Sequence, residues 1–274
     1  MHRQASRLAL GLSVLLCASE ALAHGDVHEQ IQRVSQEIAK TPKDASLYLR
    51  RGELFRVHQE YPQALADLER ARALDATLPG VELSRGRTLL DAGRLKDARA
   101  ALDRAVTGSP GSAEPLVWRA RTLARLDLRR PAIADYTRTL ALAPRSAPEI
   151  YLERAELQIR EGLLLDALGG LESGIAALGS GGVLDGKAVD VELALSRTDA
   201  ALARLDRLAA GAARRETFLA RRAEVLEAAG RLKDAQAAWD AAWKALETLP
   251  PYLRSTRATA ALEEKIRSKK DKRS

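Results

Sequence analysis

Three groups of residues in this sequence have the types and spacing to do chemistry. Gly181 to Lys187, GGVLDGK, spells the G-x-x-x-x-G-K half of a loop whose backbone amides and lysine cradle phosphate. Ala188 stands where such a loop needs a Ser or Thr hydroxyl for magnesium, and the segment follows a helical pattern rather than a strand. A flexible linker, GSGGVLDG from Gly179 to Gly186, explains the same residues. His24 and His28 lie in HGDVH. If His24 were the amino terminus, its amine and imidazole together with His28 would suit copper, nickel or zinc. Only Asp26 and Glu29 add carboxylates nearby, and His58 is isolated in sequence, so a frayed polar terminus is the alternative. The carboxylates recur at helix-surface spacing, where solvated ion-paired faces are the default. No nucleophile, base and acid come together and no carboxylate pair stands out for glycoside chemistry. The expectation is therefore no enzyme and no cofactor.

The elements that carry these residues repeat. GRLKDARAALDRA (Gly93–Ala105) and GRLKDAQAAWDAA (Gly230–Ala242) are nearly the same phrase, 137 residues apart, close to four steps of about 34. Intermediate steps land on small residues, Ala64, Ala98, Ala132, Ala167 and Ala235, each with a large apolar residue four later: Leu68, Leu102, Tyr136, Leu171 and Trp239. Upstream of each lies another small residue, Gly52, Gly86, Ala120, Ala155 or Ala223. Aromatic content is only 4%, Ala and Leu supply most of the apolar mass, and no sustained alternation of Val, Ile and Thr is present. These are helix formers, and the pattern predicts an all-α chain.

The small-large spelling resembles the tetratricopeptide repeat family, whose unit is a pair of antiparallel helices with small residues at the crowded crossing. The resemblance covers roughly residues 45–247 and implies a right-handed superhelical solenoid. A small side chain sits where two helix backbones cross and a large one fills the space beside it. Glycine then ends the first helix in a left-handed cap, and Leu95 or Leu232 is expected to seal the corner. The organisation expected is a half repeat at 24–44, about six repeats at 45–249 with a degenerate stretch at 182–215, and a capping helix from about Tyr252 to Arg267 within 250–274. The family's leucine before the small residue is replaced by Arg51, Arg85, Arg119, Arg154 and Arg222. Asp67 and Asp135 are placed to pair with Arg51 and Arg119 across the helix pair; a row of arginines facing an acidic ligand is the alternative.

In this family the first helix of each repeat lines the concave side. Alignment of the repeats puts Leu49, Leu83, Val117 and Leu152 in one stripe, beside a charged row of Glu53, Arg87, Arg121 and Glu156. An apolar stripe with bases at its middle suits a protein partner that offers a peptide or helix with a central acid. The alternative is that the stripe packs against neighbouring helices. Arg87 and Arg121 are expected to be exposed, so that replacing both would leave stability nearly unchanged. The family's terminal-carboxylate clamp relies on Asn in this row, and none is present.

Residues 1–23 form a separate unit. Arg3 and Arg7 precede the apolar stretch from Leu8 to Cys17, and Ala21-Leu22-Ala23 supplies small residues at a cleavage site. This predicts a secretory signal and a periplasmic or secreted protein that starts at His24; a retained anchor is the alternative. Cys17 is the only cysteine, so the processed chain would hold no disulfide and no thiolate ligand. Loss of Arg3, Arg7 and Glu20 would take the formal charge from +7 to +6, with acids and bases interleaved, which gives no reason to expect nucleic acid. The C-terminal SKKDKRS could touch anionic lipid through Lys269, Lys270, Lys272 and Arg273, or stay solvated. Neither the partner's identity nor the oligomeric state follows from the sequence.

Overall fold

A computed structural model describes residues 27–271. Residues 1–23, where a signal segment with Cys17 is expected, His24, and Lys272 and Arg273 of the tail lie outside the described residues. Among the described residues there are helices and no strand. The chain divides into two compact units, one up to Leu142 and one from Ala143.

The first unit opens with α1 (27–40) and continues as three helix pairs. These are α2 (Ala45–Val57) with α3 (Tyr61–Leu74), α4 (Val81–Asp91) with α5 (Leu95–Gly108), and α6 (Ala113–Arg125) with α7 (Arg129–Leu142). The second unit holds α8 (Pro148–Arg160) with α9 (Leu164–Leu178), α10 (Val183–Ala194) with α11 (Thr198–Gly211), and α12 (Glu216–Ala228) with α13 (Leu232–Glu247). It ends in α14 (Pro251–Arg254) and α15 (Arg257–Asp271).

Each pair is closed by the same turn. Gln59, Gly93, Asp127, Gly162, Ser196 and Gly230 all have positive φ, between 58° and 76°. The next residue's N–H reaches back to the carbonyl five before it in every case, from Glu60 to Phe55 and from Arg231 to Leu226 alike, at 2.8–2.9 Å. This is the Schellman closure, which satisfies carbonyls that the helix end leaves bare. Three of the six left-handed residues are not glycine and were invisible as turn signals.

At the crossings the spelling is explained by contact. Ala64, Ala98, Ala132, Ala167 and Ala235 have no exposed surface, and neither do Leu68, Leu102, Leu171 and Trp239. A Cβ on Gly86 would stand 2.4 Å from Leu102 Cγ, and one on Gly52 2.9 Å from Leu68 Cγ. Backbones can approach this closely only where no methyl intervenes. Leu95 is half-buried on a cluster of Leu89, Leu90, Ala98 and Ala101 that also receives Trp118 of α6. Leu232 does not seal its corner: it is 62% exposed, because its pair is the last and only α14 and α15 follow it.

Two more expectations change. The linker GSGGVLDG is helical from Val183 onward, and only 179–182 lies outside helices. Asp185 closes it, with Oδ2 accepting from the Gly181 N–H at 2.8 Å and from Ser180 Oγ at 3.1 Å. The Gly181 amide, one of the donors a phosphate loop would offer, is thus taken by a carboxylate. The terminal helix is broken at Ser255–Thr256, where Thr256 Oγ1 accepts the Thr259 N–H at 3.3 Å and starts α15 anew. Ile266 of α15 is fully buried in a cluster with Trp239 and Leu246.

Candidate functional site: the first-helix faces

The arginine series is mainly architectural. Arg51 donates from Nε and Nη2 to the two oxygens of Asp67, at 2.6 and 2.8 Å, and from Nη1 to Ser35. Arg119 grips Asp135 in the same way at 2.7 Å on both arms and adds Asp103 at 3.0 Å. The hydrogen bonds they donate to Asp67 and Asp135 hold both guanidiniums above their ordinary pKa. These are the ion pairs expected from the spacing. Where the second helix offers no acid, the arginine turns elsewhere: Arg85 to Glu82 at 3.1 Å, and Arg222 to Asp206 at 2.6 Å. Arg154 fills the space above Gly170, and its burial lowers its pKa. In α10 and α11 the roles are exchanged. Ala188 takes the first-helix place and Arg204 the second, 7% exposed and bound to Glu192 at 2.7 Å, Glu172 at 3.1 Å and Asp185 at 3.6 Å. That exchange is why residues 182–215 read as degenerate yet form a helix pair with the same closure.

The expected stripe divides between the two units. Leu49, Leu83 and Val117 are half-buried at equivalent places on α2, α4 and α6 of the first unit. Leu49 leans toward Gly80, whose added Cβ would stand 3.8 Å from Leu49 Cδ2, so part of the stripe does pack against the next helix. Leu83 also lines a cleft of about 940 Å³ with Pro79 and Pro115, ringed by the mutually paired Glu82 and Arg104. Leu152, half-buried, and Glu156, exposed, sit on α8 in the second unit, with Glu156 3.6 Å from Lys187.

Beside the first-unit stripe the charges are organised. Arg56 bridges Glu53 at 3.1 Å and Asp91 at 2.9 Å. The guanidinium of Arg87 lies 4.9 Å from the centroid of the Trp118 ring and that of Arg121 5.0 Å from it. Arg87 Nη1 is also 3.5 Å from Glu114, and its Nε is buried without a hydrogen-bond partner. Both arginines are half-buried, contrary to the expectation of free exposure. The cause is Trp118, which spacing alone did not single out: it adjoins Val117 of the stripe, and its ring lies under two side chains of the charged row. A guanidinium stacked on indole keeps its plane and gives up little further freedom on binding an oxyanion.

The structure brings His58 near His28. The rings of His28 and His58 are 6.2 Å apart, and His58 Nδ1 is 2.8 Å from Glu60. Among the described residues no group of three or more His, Cys, Asp or Glu side chains could hold a metal, and no helix is long and apolar enough to cross a membrane.

Residues 83–128, which contain Leu83, Arg87, Trp118 and Arg121, match the tetratricopeptide repeat family. The chain folds as a tetratricopeptide-repeat solenoid. No curated protein matches it by sequence. Among solved structures it is similar to the C-terminal part of a TPR repeat-containing protein from Cytophaga hutchinsonii, with 16% identity, a TM-score of 0.66, and 86% of this chain and 94% of that chain covered. PilF from Pseudomonas aeruginosa gives 17% identity and a TM-score of 0.55 over 76% of this chain and 96% of that one. YrrB, described as a TPR protein with an unusual peptide-binding site, gives 19% identity and a TM-score of 0.54 over 64% and 90%. At these identities the likeness is one of fold.

Proposed function

We propose that the chain is an exported interaction scaffold whose first unit holds a peptide or helix of a partner protein. The partner lays apolar side chains on Leu49, Leu83 and Val117 and directs a carboxylate at Arg87 and Arg121. The observation that carries this is the Arg87–Trp118–Arg121 stack, two cations held in place beside a half-buried apolar stripe. A site arranged before binding loses less entropy when the ligand arrives. The tetratricopeptide fold and the peptide-binding description of YrrB support binding as the mode of action. Export rests on the pattern of residues 1–23, and sequencing of the N-terminus of protein from its native source tests it: His24 as the first residue supports export, intact Met1 opposes it.

Site-specific photocrosslinking tests the face itself. A photoreactive residue at Leu83 or Val117 should crosslink the partner, and one at Lys96, exposed on α5, should not. Crosslinks from Lys96 alone would place binding elsewhere. A second reading, a metal-binding accessory subunit built on His24 and His28, is favoured by the 6.2 Å approach of His28 to His58. Metal analysis of correctly processed protein separates the two: bound copper, nickel or zinc lost in His28→Ala would support it.

A further inference from the structure

The arginine series has one member without an acid. Arg51 and Arg119 hold Asp67 and Asp135, sixteen residues on, through Nε and Nη2. Arg85 and Arg222 find Glu82 and Asp206. For Arg154 the residue sixteen on is Gly170. Sixteen before it the sequence has Arg138, where it has Asp103 for Arg119 and Asp206 for Arg222. Among the described residues no carboxylate pairs with Arg154, and its Nε is buried without a hydrogen-bond partner. The Nε atoms of Arg87 and Arg222 also lack a hydrogen bond, but each of those guanidiniums keeps a carboxylate within 3.5 Å.

Arg154 is held in place all the same. Its guanidinium lies 5.9 Å from the centroid of the Tyr151 ring. Tyr151 is 3% exposed, and its hydroxyl donates to the Pro144 carbonyl at 2.6 Å. The Nε–Nη2 edge is turned to Gly170: a Cβ there would meet Nη2 at 2.4 Å, Cζ at 3.2 Å and Nε at 3.5 Å. Arg51 and Arg119 turn the same edge to aspartate. Beside Gly170 the surface is open, since Gly169 is exposed and a Cβ on it would meet nothing within 4 Å. Burial without a counterion disfavours the charged guanidinium and lowers its pKa. An arriving carboxylate would supply the two charge-assisted hydrogen bonds that the other repeats make internally.

We propose that the notch over Gly170 is a carboxylate-binding site, in which Arg154 receives the acid that α9 does not supply, from an acidic side chain of a bound protein or from a free organic acid. The guanidinium withdraws from Gly170 to admit it, which is cheap because the close atoms are the end of a flexible side chain. The site uses the side of α8 turned to α9, not the stripe position at Leu152, and it does not rest on the first-unit reading.

The test follows the Arg154 Nε–Hε signal in proton–nitrogen NMR spectra of the full-length processed chain, identified by its absence from Arg154→Met. At about pH 6, where carboxylates are ionised, acetate replacing chloride at constant ionic strength should move that signal saturably, half-complete at about 0.1 M or below. The blocked peptide Ac-Ala-Asp-Ala-NH2 separates the sources. Binding about threefold or more tighter than acetate assigns a protein side chain, and equal or weaker binding assigns a free acid. Its Asn counterpart should not move the signal. Gly170→Asp supplies the acid from α9, so its Arg154 signal should start at the shifted position and ignore acetate, and melting should rise by about 2–4 °C. Arg87→Glu with Arg121→Glu should respond to acetate as the unaltered chain does, which separates failure of this proposal from failure of the first-unit reading. No movement with acetate, equal movement with chloride, or an undiminished acetate response in Gly170→Asp would each overturn the proposal.

Discussion

Gly86→Ala offers a test of the packing in which two terms oppose each other. In an ordinary helix the change is favourable by about 0.8–1 kcal/mol, since glycine has more backbone freedom to lose. Here the new Cβ would stand 2.4 Å from Leu102 Cγ and 2.6 Å from its Cδ2. Leu102 has no exposed surface, and the close atom is at the branch of its side chain, so it cannot swing aside without displacing filled core. Overpacking of this kind costs about 1–3 kcal/mol. The net expectation is a loss of about 1 kcal/mol, read by urea denaturation followed by circular dichroism. Leu102→Ala alone should cost about 2–5 kcal/mol through the cavity it leaves. In that background the clash is gone, so Gly86→Ala should stabilise by roughly the full helix term. The sign of its effect reverses, with a coupling of about 2 kcal/mol between the two positions. A Gly86→Ala protein that is more stable in both backgrounds would show that α4 and α5 do not cross at this residue.

Removing Asp135 should strand the half-buried Arg119 and cost about 3 kcal/mol, whereas Asp103→Ala, which removes an exposed third contact, should cost under about 1 kcal/mol; chemical denaturation distinguishes them. Gln59→Gly should stabilise by about 0.5–1 kcal/mol by relieving a left-handed residue, and Gly93→Ala should destabilise by about 1 kcal/mol at the equivalent turn, both read by melting. The C-terminal helix should respond to acid. Burial alone would push the Glu224 carboxyl up, but hydrogen bonds from Lys265 and Arg221 outweigh it and hold it below its ordinary 4.5, and the Arg254 hydrogen bond does the same for Glu263. A carboxyl lowered on folding stabilises fully above its unfolded value and ceases to do so as pH falls through its folded one. Hydrogen exchange across α15 should therefore stay slow from neutral pH down to about 4.5 and accelerate below it, apart from the intrinsic pH dependence of exchange.

The repeat phase was legible because steric demand at a crossing is local: Gly86 and Leu102 are fixed by one contact, and any sequence that makes the crossing must spell it. The Arg51–Asp67 and Arg119–Asp135 pairs were legible because both partners belong to one repeat. The turns at Gln59, Asp127 and Ser196 were not, since a Schellman closure needs a left-handed residue but tolerates a polar side chain where glycine is usual. The α10–α11 pair read as degenerate because its arginine and its acids had changed helices, which preserves the charge balance and destroys the pattern. The role of Trp118 was hidden for a different reason. It depends on Arg87 of α4 and Arg121 of α6 lying over one ring, a relation between repeats that spacing within a repeat does not encode. The same stack removes the expected exposure of both arginines. Replacing both should cost about 1–2 kcal/mol through the lost stacking, in place of the near-neutral change expected from the sequence.

The claim that the first unit is a binding face for an acidic segment is tested most directly by partner capture with Arg87→Glu and Arg121→Glu together, below the melting temperature of both proteins. The unaltered processed chain, immobilised and incubated with its native envelope fraction, should retain a defined protein at low salt and release it as salt rises. The double variant, shown to be folded by circular dichroism, should fail to retain it. Undiminished retention by the folded variant would contradict the account and move the partner away from the Arg87–Trp118–Arg121 face.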